Sequence, residues 1–413
     1  MNKIKKIFFL IIIITTCQTG LSQSGSQEVR VAVKPGIEVL LEHKIGLVRG
    51  KRVGLITNPT GVNSALVSTV DLLYRHPDVE LAALFAPEHG VRGDFHAGET
   101  VGQNTDIKTG IPVFSLYGKN KKPTPEMLHG IDILIYDIQD TGTRGYTYIY
   151  TMAYAMEAAR ENNIPFFVLD RPNPLGGNRV EGNVLEPDFS SFIGLYPIAQ
   201  VYGMTVGELA RFFNQEFRLD CQLTVIPMMN WRREMTFAET GLPWVPTSPH
   251  IPHAETVLFS AATGCIGELN TVSIGVGYPA PFELFGAPWI DADKLAHELN
   301  HRNLPGVFFR PIHFRPYYLH FKGEICSGVQ IHIRDQAQFS PAKVQIHLLE
   351  AVIRLFPEQN ILDTEQITMF DSAFGTDKVR KALLNGKSAK EIIKEWQIDL
   401  EKFRKKREKY LIY

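Results

Sequence analysis

Cysteine is scarce in this chain, with four in 413 residues. Beyond Cys17 only Cys221, Cys265 and Cys326 remain, and no CxxC spacing links them. That excludes a zinc ribbon and a disulfide framework. The three later thiols read as small buried apolar residues, with at most one disulfide. An excess of either charge is also missing, because 43 Lys and Arg stand against 44 Asp and Glu. This balance argues against nucleic acid or an anionic membrane as the main partner. The first βα turn holds no GxGxxG and the chain holds no GxxxxGK[ST], so neither a dinucleotide fingerprint nor a P-loop is read. Internal repeats and low-complexity segments are absent.

At 413 residues the chain has room for two or three domains, on a prior of roughly 150 residues each. The first residues read as a targeting segment. Lys3, Lys5 and Lys6 precede the apolar run Ile7 to Ile14. That run is too short for ~30 Å of hydrocarbon and suits a signal h-region. Cys17 follows it in a setting close to a lipobox, although Thr16 fits poorly before the cysteine. A lipid anchor at Cys17 and cleavage between Cys17 and Gln27 are the two outcomes. Both place the mature protein outside the cytoplasm, in the periplasm or at the outer membrane.

From Lys51 onward, short apolar runs alternate with helical patterns. Val53–Ile56, Leu81–Ala86, Pro112–Ser115, Ile131–Tyr136 and Pro165–Leu169 read as strands, with helices over Leu66–Tyr74 and Tyr148–Ala159. This alternation implies an α/β fold, a Rossmann-like, mostly parallel sheet. Polar residues gather just after the strands: Asn58; Glu88, His89 and Arg92; Asp140 and Arg144; Asp170 and Arg171. Parallel strands end on one edge, so these side chains are expected to line one crevice. The richest loop is Pro87 to Glu99, where Pro87, Gly90, Gly93 and Gly98 permit tight turns. A charged surface loop would hold similar residues, but the same pattern recurs at the other strands.

A long irregular segment, 173–203, holds Glu181. Thr205-Val-Gly-Glu208 is a capping box opening a helix through Phe217, and a strand over Cys221–Ile226 follows. A Pro-rich stretch, 244–252, brings His250. The boundary is placed near Val257, giving a signal segment and N-terminus at 1–27, a Rossmann-like catalytic domain at 28–257 and a smaller α+β domain at 258–413. In that last part 264–277 is glycine-rich, and a helix starts at Ala292. Gly328–Arg334 alternates as a half-exposed strand, with helices at Lys343–Phe356, Val379–Leu384 and Ala389–Trp396. The basic tail Lys402–Lys409 reads as the solvated face of a last helix.

Several motifs together resemble one family. They are Gly54-Leu-Ile-Thr-Asn-Pro-Thr-Gly61, Phe85-Ala-Pro-Glu-His-Gly-Val-Arg-Gly93, Tyr136-Asp-Ile-Gln-Asp-Thr-Gly-Thr-Arg-Gly-Tyr-Thr147, Leu169-Asp-Arg-Pro-Asn-Pro174 and Pro281-Phe-Glu-Leu-Phe-Gly-Ala-Pro288. They are similar to the NamZ-type exo-β-N-acetylmuramidases, formerly a domain of unknown function, over nearly the whole mature chain. The resemblance implies a Rossmann-like domain, a smaller C-terminal domain and a site in the cleft between them. It also implies release of N-acetylmuramic acid, or a related amino sugar, from the non-reducing ends of peptidoglycan fragments. The family's proposed catalytic glutamate falls on Glu88. One stretch departs: where the family usually reads Glu-Gly-Thr-Asn-x-Ser-x-Gly-Arg-Gly-Thr, this chain has Glu268-Leu-Asn-Thr-Val-Ser-Ile-Gly-Val-Gly-Tyr278. Glu268 and Ser273 are retained. Val276 replaces the arginine and Tyr278 the threonine, which bears on the sugar preferred.

Glycoside hydrolysis needs a proton donor and a group facing the oxocarbenium-like charge. Glu88 is read as general acid, with Asp140, Glu181 and Glu268 as candidate partners. The substrate's own acetamide is the alternative nucleophile. Asn58, His89, Tyr146 and His250 are read as further sugar contacts. Arg92, Arg144 and Arg171 could clamp a lactyl carboxylate through bidentate bonds, or could pair with Asp137, Asp140 or Asp170. A non-catalytic wall-sugar binding protein would keep the cleft and aromatics such as Tyr146, Trp244 and Tyr278. A metallohydrolase on His89, Asp94 and His96 would need a helical ligand spacing that this loop lacks. No metal and no cofactor are therefore read.

Overall fold

Short apolar runs build the central sheet of the computed structural model, which describes residues 32–93 and 104–413. Its strands are β1 (Arg52–Thr57), β2 (Glu80–Ala86), β3 (Asn104–Thr105), β4 (Pro112–Ser115), β5 (Ile133–Asp137) and β6 (Phe166–Leu169). A two-stranded antiparallel ribbon, β7 (Glu181–Val184) and β8 (Ala199–Val201), then leads to the last sheet strand, β9 (Leu223–Ile226). The spatial order is β3-β4-β2-β1-β5-β6-β9. Only β3 runs antiparallel to its neighbour.

Alternation along each strand sends side chains to two different cores. From β5, Leu134 and Tyr136 join α3 (Tyr148–Glu161) and α4 (Val206–Glu216) on one face. Ile133 and Ile135 join α1 (Gly36–His43) and α2 (Thr69–Arg75) on the other. A sheet covered on both faces must be apolar on both, and that is why its strands read as unbroken apolar runs. The expected α/β fold is the one observed. The strand order reverses between β1 and β5, the position in such sheets where a crevice opens beyond the carboxyl ends.

The C-terminal part begins with α5 (Thr256–Gly267). It continues with an antiparallel sheet of β10 (Leu284–Ala287), β11 (Val307–Phe314) and β12 (Cys326–Ile333), with β12 central. Here α5, α6 (Ala292–His301) and α7 (Pro341–Leu355) pack with the sheet in one core. Four further helices close the chain: α8 (Ile367–Phe374), α9 (Lys378–Leu384), α10 (Ala389–Glu395) and α11 (Gln397–Arg407). Residues 32–413 form one compact unit. Leu400 and Phe403 of α11 return to pack in the core of α3 and α4.

Sequence periodicity did not reveal α1, α5, β11 or α8. The case of α5 is instructive, because its glycines argue against a helix by propensity. Burial of Val257, Leu258, Ala261, Ala262 and Ile266 overrides that. Gly267 lets α5 pack closely on Ile274, whose terminal methyl would have to move for a Cβ placed 2.5 Å away. The capping box at Thr205 is formed as read, with both reciprocal bonds present. No described helix is long and apolar enough to cross a membrane.

Candidate active site

The turns after β1 and β5 are fastened to each other before any ligand is considered. Asn58 Oδ1 accepts from the Thr60 backbone N–H at 3.0 Å and from its hydroxyl at 2.5 Å. That same Thr60 oxygen accepts from the Gln139 N–H at 2.9 Å. Gly61 completes the turn because a Cβ would sit 2.1 Å from Thr57 Oγ1. The result is a rigid floor at the strand ends. The Asn58 amide nitrogen is left buried without a geometric hydrogen-bond partner, beside the hydroxyl of Tyr148.

Glu88 leaves β2 in a tight turn. The Gly90 N–H returns to the Pro87 carbonyl at 3.2 Å, and His89 adopts a left-handed φ of 73°. A non-glycine residue there is uncommon and is found where surrounding structure enforces it, often at functional sites. Glu88 and His89 are both half-buried. The Tyr117 hydroxyl hydrogen-bonds to Glu88, and burial with this carboxylate pushes the phenol up to about 12. His89 Nδ1 is buried and unpartnered. Burial, and then the nearby His89 ring, lower the pKa of His250.

Beside this cluster opens a cavity of about 400 Å³ between the strand ends and α5. Tyr146, Ser248 and His250 form the near wall, with Tyr146 edge-on to Tyr148 at 4.9 Å. Glu268, Asn270 and Ser273 form the far wall just beyond α5. The Glu268 carboxylate makes no hydrogen bond or ion pair among the described residues, and burial raises it above the usual range. Val276 lies in the wall, and no described arginine or lysine lines the cavity. An unpartnered carboxylate in a concave, partly apolar site is the usual mark of a functional acid or base.

Comparison with known proteins decides the family. A family model described as the N-terminal part of the exo-β-N-acetylmuramidase NamZ matches residues 53–255, and its C-terminal counterpart matches residues 261–413. The chain belongs to the NamZ family. It is 50% identical over 400 residues to the peptidoglycan β-N-acetylmuramidase NamZ of Bacillus subtilis (strain 168), covering 96% of each chain. Two solved structures of DUF1343 family proteins from Bacteroides fragilis NCTC 9343 share the fold. One has a TM-score of 0.89 at 48% identity, covering 93% of this chain and all of the other. The second has a TM-score of 0.73 at 30% identity, covering 93% and 99%. This NamZ-family chain is thus an enzyme of the glycosidase class.

Within the NamZ-family fold, the residues singled out from sequence divide into two groups. Tyr146, His250 and Glu268 line the cavity, and Asn58, Glu88 and His89 adjoin its wall without lining it, His89 beside His250 and the other two beside Tyr148, which packs on Tyr146. Five others are placed elsewhere and correct the crevice drawn from sequence. Asp140 is buried beneath the wall, accepting from the Tyr202 hydroxyl and from the Gly142 N–H at 2.7 Å, and it does not line the cavity. Burial pushes its carboxyl up to about 6. Arg171 makes a bidentate pair with Asp137 at 2.5 and 2.9 Å. Arg92 is held by Asp106 and Asp71. Glu181 pairs with Arg179 and accepts from Ser340 in a separate cleft. Arg144 is fully buried and donates to the carbonyls of Asn183, Ile198 and Phe374. None of the three arginines has its fork free for a substrate carboxylate. Cys17, Asp94, His96 and Glu99 lie outside the described residues.

The sequence reading passed over Tyr117, Tyr148, Ser248, Asn270 and His320. It also passed over α5, whose Ser260, Ala261 and Gly264 face the cavity with small side chains. A run of small residues between a Pro-rich loop and Glu268 was the available signal. Trp244 is not in the cavity wall; it packs on Phe237 and donates to the Ile251 carbonyl at 3.1 Å. One further motif, His297-Glu-Leu-Asn-His301, has the H-E-x-x-H spacing of zinc peptidases. On α6 both histidines are exposed and Glu298 is paired with Arg302 and Arg354. No group of three His, Cys, Asp or Glu suited to a metal occurs among the described residues. The motif builds no metal centre there.

Proposed function

We propose that this enzyme releases N-acetylmuramic acid from the non-reducing ends of peptidoglycan fragments, with Glu88 as the general acid. The observation carrying this reading is the unpartnered Glu268 in a cavity for one sugar, adjoining the Glu88 cluster. A volume of about 400 Å³ is at the small end of the ~300–1,000 Å³ range for small-molecule sites, room for one sugar rather than a chain. In this reading Glu88 gives its proton to the glycosidic oxygen as the bond to the anomeric carbon breaks. Glu268, ionised, faces the oxocarbenium-like charge, and water completes the hydrolysis. Residues 28–257 supply the acid and 258–413 the far wall. Without an arginine in that wall, the lactyl carboxylate meets Asn270, Ser273 and Tyr146 and the two cavity histidines, His250 and His320. Asn58 and His89 contribute unpartnered buried nitrogens to the same region.

The test is hydrolysis of a chromogenic β-N-acetylmuramide beside the matching glucosaminide. Preference for the muramide supports the reading. Preference for the glucosaminide moves the substrate to the uncharged amino sugar, and binding without turnover would make the protein a wall-sugar module. We also propose that the enzyme works outside the cytoplasm, on the charge and hydropathy pattern of residues 3–14. Full-length, unprocessed protein recovered in the cytosol would overturn that part.

A further inference from the structure

Next to the cavity stands an aromatic lip that the catalytic reading does not use. The connection from β11 to β12 presents Tyr317, Tyr318 and Leu319 in succession, 67%, 46% and 56% exposed. Large apolar side chains exposed side by side mark a contact surface, whereas single ones need no explanation. This patch is continuous with the cavity. Leu319 and His320 line it, and Tyr318 hydrogen-bonds and stacks on His250 in the opposite wall, with 2.9 Å between hydroxyl and Nε2.

The lip is built rather than incidental. Tyr317 stacks on Tyr278 with ring centroids 6.0 Å apart and planes 12° from parallel. Its N–H donates to the Gly277 carbonyl at 2.7 Å, and a Cβ on Gly277 would lie 2.3 Å from the Tyr318 carbonyl oxygen. Leu319 and Phe321 adopt left-handed φ values of 62° and 59°. Bulky residues in that region are outliers that persist only where surrounding structure holds them. A ring fixed in place before binding loses little entropy when a ligand covers it.

We propose that Tyr317, backed by Tyr278, is a stacking platform for the saccharide ring on the reducing side of the scissile bond. The proposal rests on the exo-glycosidase reading above, because a cavity sized for one sugar sends the rest of the glycan across its mouth. The platform binds substrate and transition state alike, so it acts on KM and not on the chemical step.

Steady-state kinetics of wild type, Tyr317→Ala and Tyr317→Phe test it on two substrates. One is a disaccharide with N-acetylmuramic acid at the non-reducing end; the other is methyl β-N-acetylmuramide, whose one-carbon aglycone cannot reach the lip. With Tyr317→Ala, KM for the disaccharide should rise roughly 3- to 10-fold at unchanged kcat, the worth of one aromatic contact. Tyr317→Phe should restore it, and kcat/KM for the methyl glycoside should stay at the wild-type value. Equal effects on both substrates, or none on either, overturn the platform while leaving the glycosidase reading intact. Failure of the wild type to cleave either substrate overturns both.

Discussion

Arg144 Nη2 donates to the carbonyl of Phe374 at 2.6 Å, joining the turn after β5 to the end of α8 across 230 residues of chain. With its bonds to Asn183 and Ile198, the guanidinium gathers carbonyls of three separate segments at once. Arg144→Lys keeps the charge but cannot reproduce the planar fork, and removes donors that tie these buried carbonyls together. We expect a loss of about 2–4 kcal/mol in urea denaturation, with an unchanged KM for the protein that remains folded. An unaltered unfolding midpoint would show that the clamp contributes nothing.

Glu88→Gln should fold normally and still bind the sugar. Its turnover of a saccharide substrate should fall by about 10²–10⁴, the usual worth of a positioned acid. An activated aryl glycoside needs less protonation, so its loss should be smaller. Near-wild-type rates on both substrates would remove Glu88 from the mechanism.

Glu268 must be ionised in the proposed role, and its burial raises its pKa above the ordinary 4.5. Activity should therefore rise with pH through a limb above 4.5. In Glu268→Gln both most of the turnover and this limb should disappear. A Gln variant retaining the acid limb would assign it to another group.

His347 provides a test of stability against pH. Burial and then the Arg302 guanidinium, whose Nη1 lies 2.9 Å from Nδ1, lower its pKa from 6.5 to about 4. Above pH 6.5 the ring is neutral in both states. As pH falls from 6.5 to 4 the unfolded chain takes up a proton that the folded one refuses, so stability declines over that window. The decline attributable to this residue is of order 2–3 kcal/mol, read as the difference between wild type and His347→Gln in urea midpoints at pH 7 and pH 4.5. Parallel profiles would place the titration elsewhere.

The sheet was legible because its physics is local. A strand covered on both faces reads as an apolar run, so β2 appears within a residue of where it is read, and the less buried β4 coincides with its run at Pro112–Ser115. The loops that follow can then be assigned to one edge from the parallel arrangement alone. Glu88 and Asn58 were reachable in this way. The helix α5 was not, because its small residues make sense only against the residues that bury them.

What the sequence determined by itself is therefore the parallel strands of the central sheet with the helices between them, the edge on which the polar loops emerge, and the motifs that place the chain in its family. Tertiary structure alone decided which polar groups are free. Asp137 and Arg171 lie 34 residues apart and cancel each other, Arg144 is consumed by the backbone at Phe374, and the Glu268 carboxylate is left without a partner among the described residues. Chemical type says what a side chain can bind; burial and the partners brought to it from distant segments say whether that capacity is already spent.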